Sequence, residues 1–432
     1  MILILVNRIT PRIKYTFDYL LNSLYGLRPV YTASVEEFNS FEGPKMVYGD
    51  EPQGDTVFFA SAGLLFRRTR EKVDPLPDNH GNLFPVKHPA SSLPFDPFSA
   101  AFYMLSRYEE YQPHQKDEHG RFIASQSLAY RSGFLQRPVV NEWAERVVSL
   151  IHRKYPALTL QPATYRFQPT VDIDSAYSFR YKGLVRTLGG FARDILDKKW
   201  NDVRQRWDVL FRGAHDPFDS FDDFREIHQK VGVEPIYFVL YADYSPFDKN
   251  LPINHPGFIE LLRRLADEAL IGLHPSYYSA TDISKLVPEL EALQSALNME
   301  IVRSRQHFLR LSLPQTYRNL LQAGIREDYS MGFADQPGFR AGVCTPFPFY
   351  DLELDAPTDL KIYPITFMDG TFRDYLKLGI DEALDKIYPL VSTVKKNRGV
   401  LVTLWHNETQ GGEGRWAGWP QLYRKIVELA VN

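Results

Sequence analysis

From about residue 165 onward, short apolar or β-branched runs recur at 168–173, 234–241, 270–274, 301–308, 362–367 and 400–405. Most gaps between them hold helical patterns, such as 257–269 and 283–297. Nothing else in the chain restricts its fold as strongly. Strands that alternate with helices are joined by crossovers, which sets them parallel and predicts an α/β barrel or doubly wound sheet. In a barrel the chemistry sits where strands end at their C-terminal edge, so candidate residues are sought at the ends of these runs.

The preceding part has a different texture. Apolar runs at 2–6, 45–48 and 56–60 with a helical pattern at 14–25 suit a small α/β unit. Residues 71–100 are dense in Pro, Asp, Asn and Ser and read as a loop. "FSAAFYMLSRYEEYQ" reads as an amphipathic helix, and a second helix is expected at 139–154. At 432 residues the chain exceeds one ordinary core. The expected division is a small N-terminal α/β domain over 1–90, a helical connector over 91–160, and a (β/α) barrel over 161–432. A helical insertion near 180–232 is expected to interrupt the barrel.

A net charge of -3 and a pI near 6.4 leave no broad basic surface for nucleic acid or an anionic membrane, only room for a local basic patch. Cys344 is the sole cysteine, so an internal disulfide and a thiolate-rich zinc site are excluded, and any metal must sit on His, Asp or Glu. The N-terminal "MILILVNRI" lacks a basic stretch before its apolar run and reads as a buried first strand. No segment approaches the roughly 20 apolar residues a membrane span needs. A cytoplasmic location is the simplest expectation.

Four run ends carry candidates. Asp172 and Asp174 close "YRFQPTVDID", and residues two apart on a strand share a face, so both carboxylates can enter one site. A turn or cap at a strand end would also explain them. His274 closes "EALIGLH" just after Gly272, where the backbone can approach a neighbour closely. His307 lies in "RSRQHFLRL" among Arg303, Arg305 and Arg310. Neutral imidazole is a common zinc ligand, and arginine keeps a neighbouring carboxylate ionised. His406 closes "GVLVTLWHNET", placed to serve as a general acid or base. A solvated strand end or a hydrogen-bonded core histidine would account for each alone; the order Asp, His, His, His over successive ends points to a shared site.

In that order the sequence resembles the polysaccharide deacetylases of the carbohydrate esterase family 4 type. Thr170-Val171-Asp172-Ile173-Asp174 looks like that family's first motif, Ile271-Gly272-Leu273-His274 its second, Arg305-Gln306-His307-Phe308 its third and Leu404-Trp405-His406 its last. The likeness covers roughly 165–410. Residues 88–140 look like a forepart found in a subgroup from bacterial surface-polysaccharide loci. The resemblance implies a deformed (β/α) barrel and a metal-dependent hydrolase that deacetylates an N- or O-acetylated sugar. It further implies Asp172 as general base, Arg305 orienting it, His406 as general acid, and Asp174 and His274 as ligands of a divalent metal, zinc foremost. Three departures stand out: Ile173 separates the aspartates, Tyr278 occupies the place of the second metal histidine, and His307 replaces a proline. A compensated site follows, in which His307 from the neighbouring strand restores the lost imidazole.

One carboxylate and two imidazoles would leave open positions for water and a substrate carbonyl. A backbone N–H near Phe308 could steady an oxyanion, and Asp328 or Arg340 could orient His406. Trp405, Trp416, Trp419, Tyr277 and Tyr278 are available for sugar stacking or for core packing. Two other readings remain open. Asp172-x-Asp174 could be the metal-bridging pair of a nucleotide-sugar glycosyltransferase, or the fold could persist as a carbohydrate-binding or scaffold module without catalysis.

Overall fold

A computed structural model of the chain describes residues 1–68 and 70–432. The first sheet comprises β1 (Ile2–Val6), β2 (Pro29–Thr32), β3 (Lys45–Gly49) and β4 (Val57–Ala60), all parallel, in the order β2-β1-β3-β4. Strand alternation gives it two apolar faces. Ile2, Ile4 and Val6 join the main core, while Leu3 and Leu5 pack with Phe38, Val47 and Phe58 on the other side. Helices α1 (Pro11–Phe17) and α2 (Val35–Ser40) flank it, each started by a hydroxyl N-cap, Thr10 and Ser34.

Helices α3 (Pro97–Leu105), α4 (Leu128–Arg131) and α5 (Val139–Lys154) follow. The helix expected to be amphipathic differs from that expectation: all nine residues of α3 are buried. It lies against α1, α5 and the second sheet, so it has no solvent face to fill with polar residues. Its N-cap Asp96 is itself fully buried, accepting from the Phe98 and Ser99 amides and from the Tyr48 hydroxyl of β3. Burial raises the Asp96 carboxyl from its ordinary value, opposed by these hydrogen bonds.

The second sheet has nine strands: β5 (Arg166–Ile173), β6 (Ile236–Leu240), β7 (Leu270–His274), β8 (Arg303–Ser304), β9 (Glu327–Asp328), β10 (Phe347–Asp351), β11 (Ala356–Ile362), β12 (Phe367–Met368) and β13 (Val400–His406). Their order is β10-β11-β9-β8-β7-β6-β5-β13-β12, and every pair except β10–β11 is parallel. The helices are α6 (Leu184–Leu196), α7 (Trp200–Phe211), α8 (Phe221–Val231), α9 (Pro256–Glu268), α10 (Ile283–Leu297), α11 (Gln315–Gln322), α12 (Ile380–Lys396), α13 (Asn407–Gly411) and α14 (Trp419–Val431). The α/β class expected from the strand–helix alternation is the class observed.

Strands β5 to β9 add in chain order on one side, as in a barrel rather than a doubly wound sheet. Strands in a flat sheet lie about 4.8 Å apart, which would hold β5 and β8 three spacings from each other. Yet Arg305, just beyond β8, donates to Asp172 of β5 at 2.7 Å, so the sheet curls around that point. Its concave face has a core of its own, including Ile236 and Phe238 of β6 and Val402 and Leu404 of β13. The intervening Tyr237, Val239, Leu401 and Trp405 belong to the outer core beneath the helices.

Two run boundaries are corrected. The run at 362–367 is not one strand: β11 ends at Ile362 and β12 begins at Phe367. The run at 301–308 keeps only Arg303–Ser304 in the sheet, then turns at Phe308 and Leu309, both with positive φ (59° and 54°). The helical excursion is also narrower, since α8 packs on α13 and α14 as an ordinary crossover into β6.

Candidate metal centre

Alternation along β5 explains how its two aspartates come together. Val171 and Ile173 point outward into the core beneath the helices, so Thr170, Asp172 and Asp174 share the concave side. Ile173 is therefore the outward residue that the strand period requires. On β7 the same rule buries Ile271 and Leu273 outward and turns Gly272 and His274 inward.

Gly272 makes room for what lies beside it. A Cβ there would sit 2.5 Å from the Phe238 ring, and that ring packs 4.4 Å beneath the Arg305 guanidinium. Arg305 is fully buried and donates to Asp172 Oδ1 (2.7 Å), Thr170 Oγ1 (2.6 Å) and Tyr329 O (2.9 Å). The Asp172 carboxylate, 2% exposed, is thereby paired, with Oδ2 left 3.8 Å from His274 Nε2.

Two imidazoles face Asp174. His274 Nδ1 donates to the Arg305 carbonyl at 2.6 Å, and its Nε2 lies 3.3 Å from Asp174 Oδ1. His307 Nδ1 donates to Asp248 Oδ1 at 2.8 Å, and its Nε2 lies 3.7 Å from Asp174 Oδ2. Each Nδ1 hydrogen is thus committed to an acceptor, which turns the Nε2 atoms toward the carboxylate. Asp174 Oδ1 has no hydrogen-bond donor although it is buried. The three ligand atoms all lie within 4.8 Å of one another. Burial would push the Asp174 carboxyl up; His307, His274 and His406 more than offset it and hold it well below the ordinary carboxylate range. Burial pulls the His307 imidazole down, but Asp174 and Asp248 prevail and raise it to about 9.

Across the cavity, His406 ends β13. Asp369, fully buried, accepts from its backbone N–H (2.9 Å) and from Nδ1 (2.8 Å). Burial again opposes charge, and Asp369, Asp174 and Asp172 together carry the His406 imidazole up to about 10. Asp328 and Arg340, the two residues considered for orienting His406, lie elsewhere. Asp328 accepts from Ser304 and Ser330, and Arg340 is paired with Glu110.

These groups line a cavity of about 280 Å³. Asp172, Asp174, His274, His307 and His406 all reach it, whereas Arg305 stands behind Asp172. Tyr278 is 43% exposed and outside the cavity, and Tyr277 stacks on Phe247 at 3.9 Å. The tryptophans considered for stacking are all three core residues; Trp416 alone of them also lines the cavity, with its ring against Trp419 and beneath the Arg415 guanidinium. Gln306 also lines it, 1% exposed, with neither side-chain amide atom hydrogen-bonded.

Three contributors were not anticipated. Asp369 follows β12, and Asp248 lies in the loop after β6, so an inspection of carboxylates beyond strand ends could have found both. Arg121 had no such signal. It comes from the 91–160 region and donates to the Phe308 carbonyl (2.8 Å) and the Tyr375 hydroxyl (3.2 Å) at the cavity rim.

A family model described as a family of unknown function, DUF7033, matches residues 2–156. No curated protein sequence matches the chain. Among solved structures, it is similar to a protein of Mycobacterium smegmatis assigned as a polysaccharide deacetylase, at 15% identity over 62% of this chain and 84% of that one, with a TM-score of 0.42. A protein of Pseudomonas aeruginosa PAO1 with the same assignment is similar at 10% identity over 62% and 84%, with a TM-score of 0.40. A CE4 family pseudoenzyme from Bacillus anthracis is similar at 10% identity over 62% of each chain, with a TM-score of 0.30.

Proposed function

We propose that the cavity is the active site of a metal-dependent hydrolase that removes an acetyl group from an N- or O-acetylated sugar during surface-polysaccharide synthesis in the cytoplasm. One observation carries this reading: two imidazoles with committed Nδ1 hydrogens aim Nε2 at a carboxylate that has an unpartnered buried oxygen. Two nitrogens and one oxygen of this kind suit a divalent ion, zinc foremost, held by Asp174, His274 and His307. When bound, the ion supplies Lewis acidity toward a substrate carbonyl and an attacking water.

The remaining roles follow from the hydrogen bonds. Asp172 is the general base: Arg305 occupies Oδ1 and leaves Oδ2 on the cavity side to accept a proton. Arg305 acts through Asp172 and is a positioning residue. His406, held charged by Asp369, is the general acid for the departing amine or alkoxide. Gln306 suits a sugar through its free side-chain amide.

The rival in which the site is degenerate rests on Tyr278 standing where a metal histidine is expected. His307 supports the compensated reading instead, since it supplies a second imidazole to the same carboxylate from the adjoining strand end.

The test is acetate release from a panel of N- and O-acetylated amino sugars by zinc-loaded and chelator-stripped protein. Turnover is expected only in the loaded form, with Asp172→Asn inactive and His307→Ala depleted of metal. Full metal content in His307→Ala would sink the compensated site, and a zinc-loaded protein inert on the whole panel would sink the activity. Calorimetric titration with UDP-sugars addresses the glycosyltransferase alternative, for which strong binding is expected.

A further inference from the structure

The helical excursion α6–α7 is inverted relative to an ordinary surface helix. Eight of the 21 exposed large apolar side chains among the described residues fall between 184 and 211. On α6 these are Leu184 (75%), Val185 (85%), Leu188, Ile195 and Leu196 (80%). At about 100° per residue they form a single stripe roughly 120° wide. A globular helix turns such a stripe toward the core; here the inward face is polar. Asp194 is buried against Arg206 of α7 at 2.6 Å, and a Cβ on Gly190 would lie 2.6 Å from the same guanidinium. On α7, Trp200 (62%), Trp207 and Phe211 (62%) recur at helical spacing and are exposed as well, with the last two rings in contact.

The charge around these stripes is as uneven as the polarity. Residues 180–213 hold nine basic and four acidic side chains in a chain whose net charge is -3. Lys198 is exposed, and Arg193, Lys199, Arg204 and Arg212 keep from 55% to 83% of their side chains in solvent. An apolar stripe with tryptophans, bordered by lysine and arginine, is complementary to an anionic lipid surface: the apolar face enters the acyl boundary while the cations meet headgroups. No helix among the described residues is long and apolar enough to cross a membrane, so the contact would be peripheral.

We infer that the α6–α7 hairpin docks this protein on an anionic phospholipid membrane. Its position gives the contact a use. A groove of about 1260 Å³, lined by Lys182, Arg186 and Arg193, runs from the hairpin and shares Glu408 and Arg415 with the candidate site. A saccharide carried on an anionic lipid could therefore reach the cavity from the docked face. The docking itself rests on the surface of the hairpin and not on the proposed reaction.

Flotation of the full chain with vesicles tests it. Binding is expected to vesicles of equal parts phosphatidylglycerol and phosphatidylcholine, to weaken by about tenfold or more on pure phosphatidylcholine, and to fall with added salt. Leu188→Ser/Leu196→Ser/Trp200→Ser should abolish binding, and the charge-reversed Arg193→Glu/Arg204→Glu should reduce it. Unchanged circular dichroism and melting would show that both variants remain folded, as their exposed positions predict. Failure of the parent protein to float with anionic vesicles, or undiminished binding by both variants, would overturn the inference. So would light scattering that shows a stable dimer dissociated by the triple substitution, with no vesicle binding. Because the readout is flotation, it stands or falls separately from acetate release.

Discussion

His307 Nδ1 donates to Asp248 Oδ1 at 2.8 Å, across 59 residues of sequence and between two different strand-end loops. Asp248 is 1% exposed and also accepts from the Tyr277 amide and the Ser245 hydroxyl. It is therefore rigid, and it fixes both the ring orientation and the tautomer of His307. Asp248→Asn should weaken metal affinity by about 10–100-fold, the usual cost of losing such a support. Competition titration against a chelator measures this; parent-like affinity in the variant would show that His307 needs no orienting partner.

Gly272 governs the other half of the site. Gly272→Ala places a methyl 2.5 Å from the Phe238 ring and 3.2 Å from Arg303 Cβ. Phe238 supports the guanidinium that pairs with Asp172. Overpacking here should cost about 1–3 kcal/mol in urea unfolding, together with a loss of turnover. A variant equal to the parent in both would mean that the ring moves aside freely.

Glu110 ties the 91–160 region to the barrel. It is buried between Arg107 (2.7 Å) and Arg340 (2.9 and 2.6 Å). Burial opposes its charge, and the two guanidinium groups carry its pKa down to about 2. A folded-state pKa below the unfolded value contributes stability above the unfolded pKa, which is lost as the pH falls through 2. Glu110→Gln should destabilise the chain by about 3–5 kcal/mol at neutral pH, because the buried Arg340 loses its carboxylate partner and Arg107 is left with Glu109 alone. Chemical unfolding at pH 7 provides the comparison.

His228 sets an acid limit on stability. It is 1% exposed, bonded through Nε2 to the Tyr423 hydroxyl at 2.7 Å, and burial lowers its pKa to about 4. Since the folded pKa lies below the unfolded one, the neutral imidazole is fully stabilising above about 6.5. Its contribution is lost as the pH falls from there toward 4, by about 3 kcal/mol in all. In His228→Gln the melting temperature should fall less steeply between pH 6.5 and 4. Parallel slopes for variant and parent would assign acid sensitivity elsewhere.

Much of this was legible in the linear chain because it follows from local periods. Hydrophobic runs marked β5, β6, β7 and β13, the 3.6-residue pattern marked α9 and α10, and the two-residue strand period put Asp172 and Asp174 on one side. Asp174, His274 and His406 at strand ends and His307 in the turn beyond β8 do meet at one cavity. Only the tertiary structure supplied their supports. Asp248 and Arg121 come from loops and Asp369 from the short helical turn directly after β12, segments too short or irregular to show a period, and their partners lie 59, 187 and 37 residues away. The burial of α3 and the exposure of the α6 stripe were hidden for a related reason. An apolar pattern states how wide a face is, but what covers that face depends on which distant element the fold brings against it.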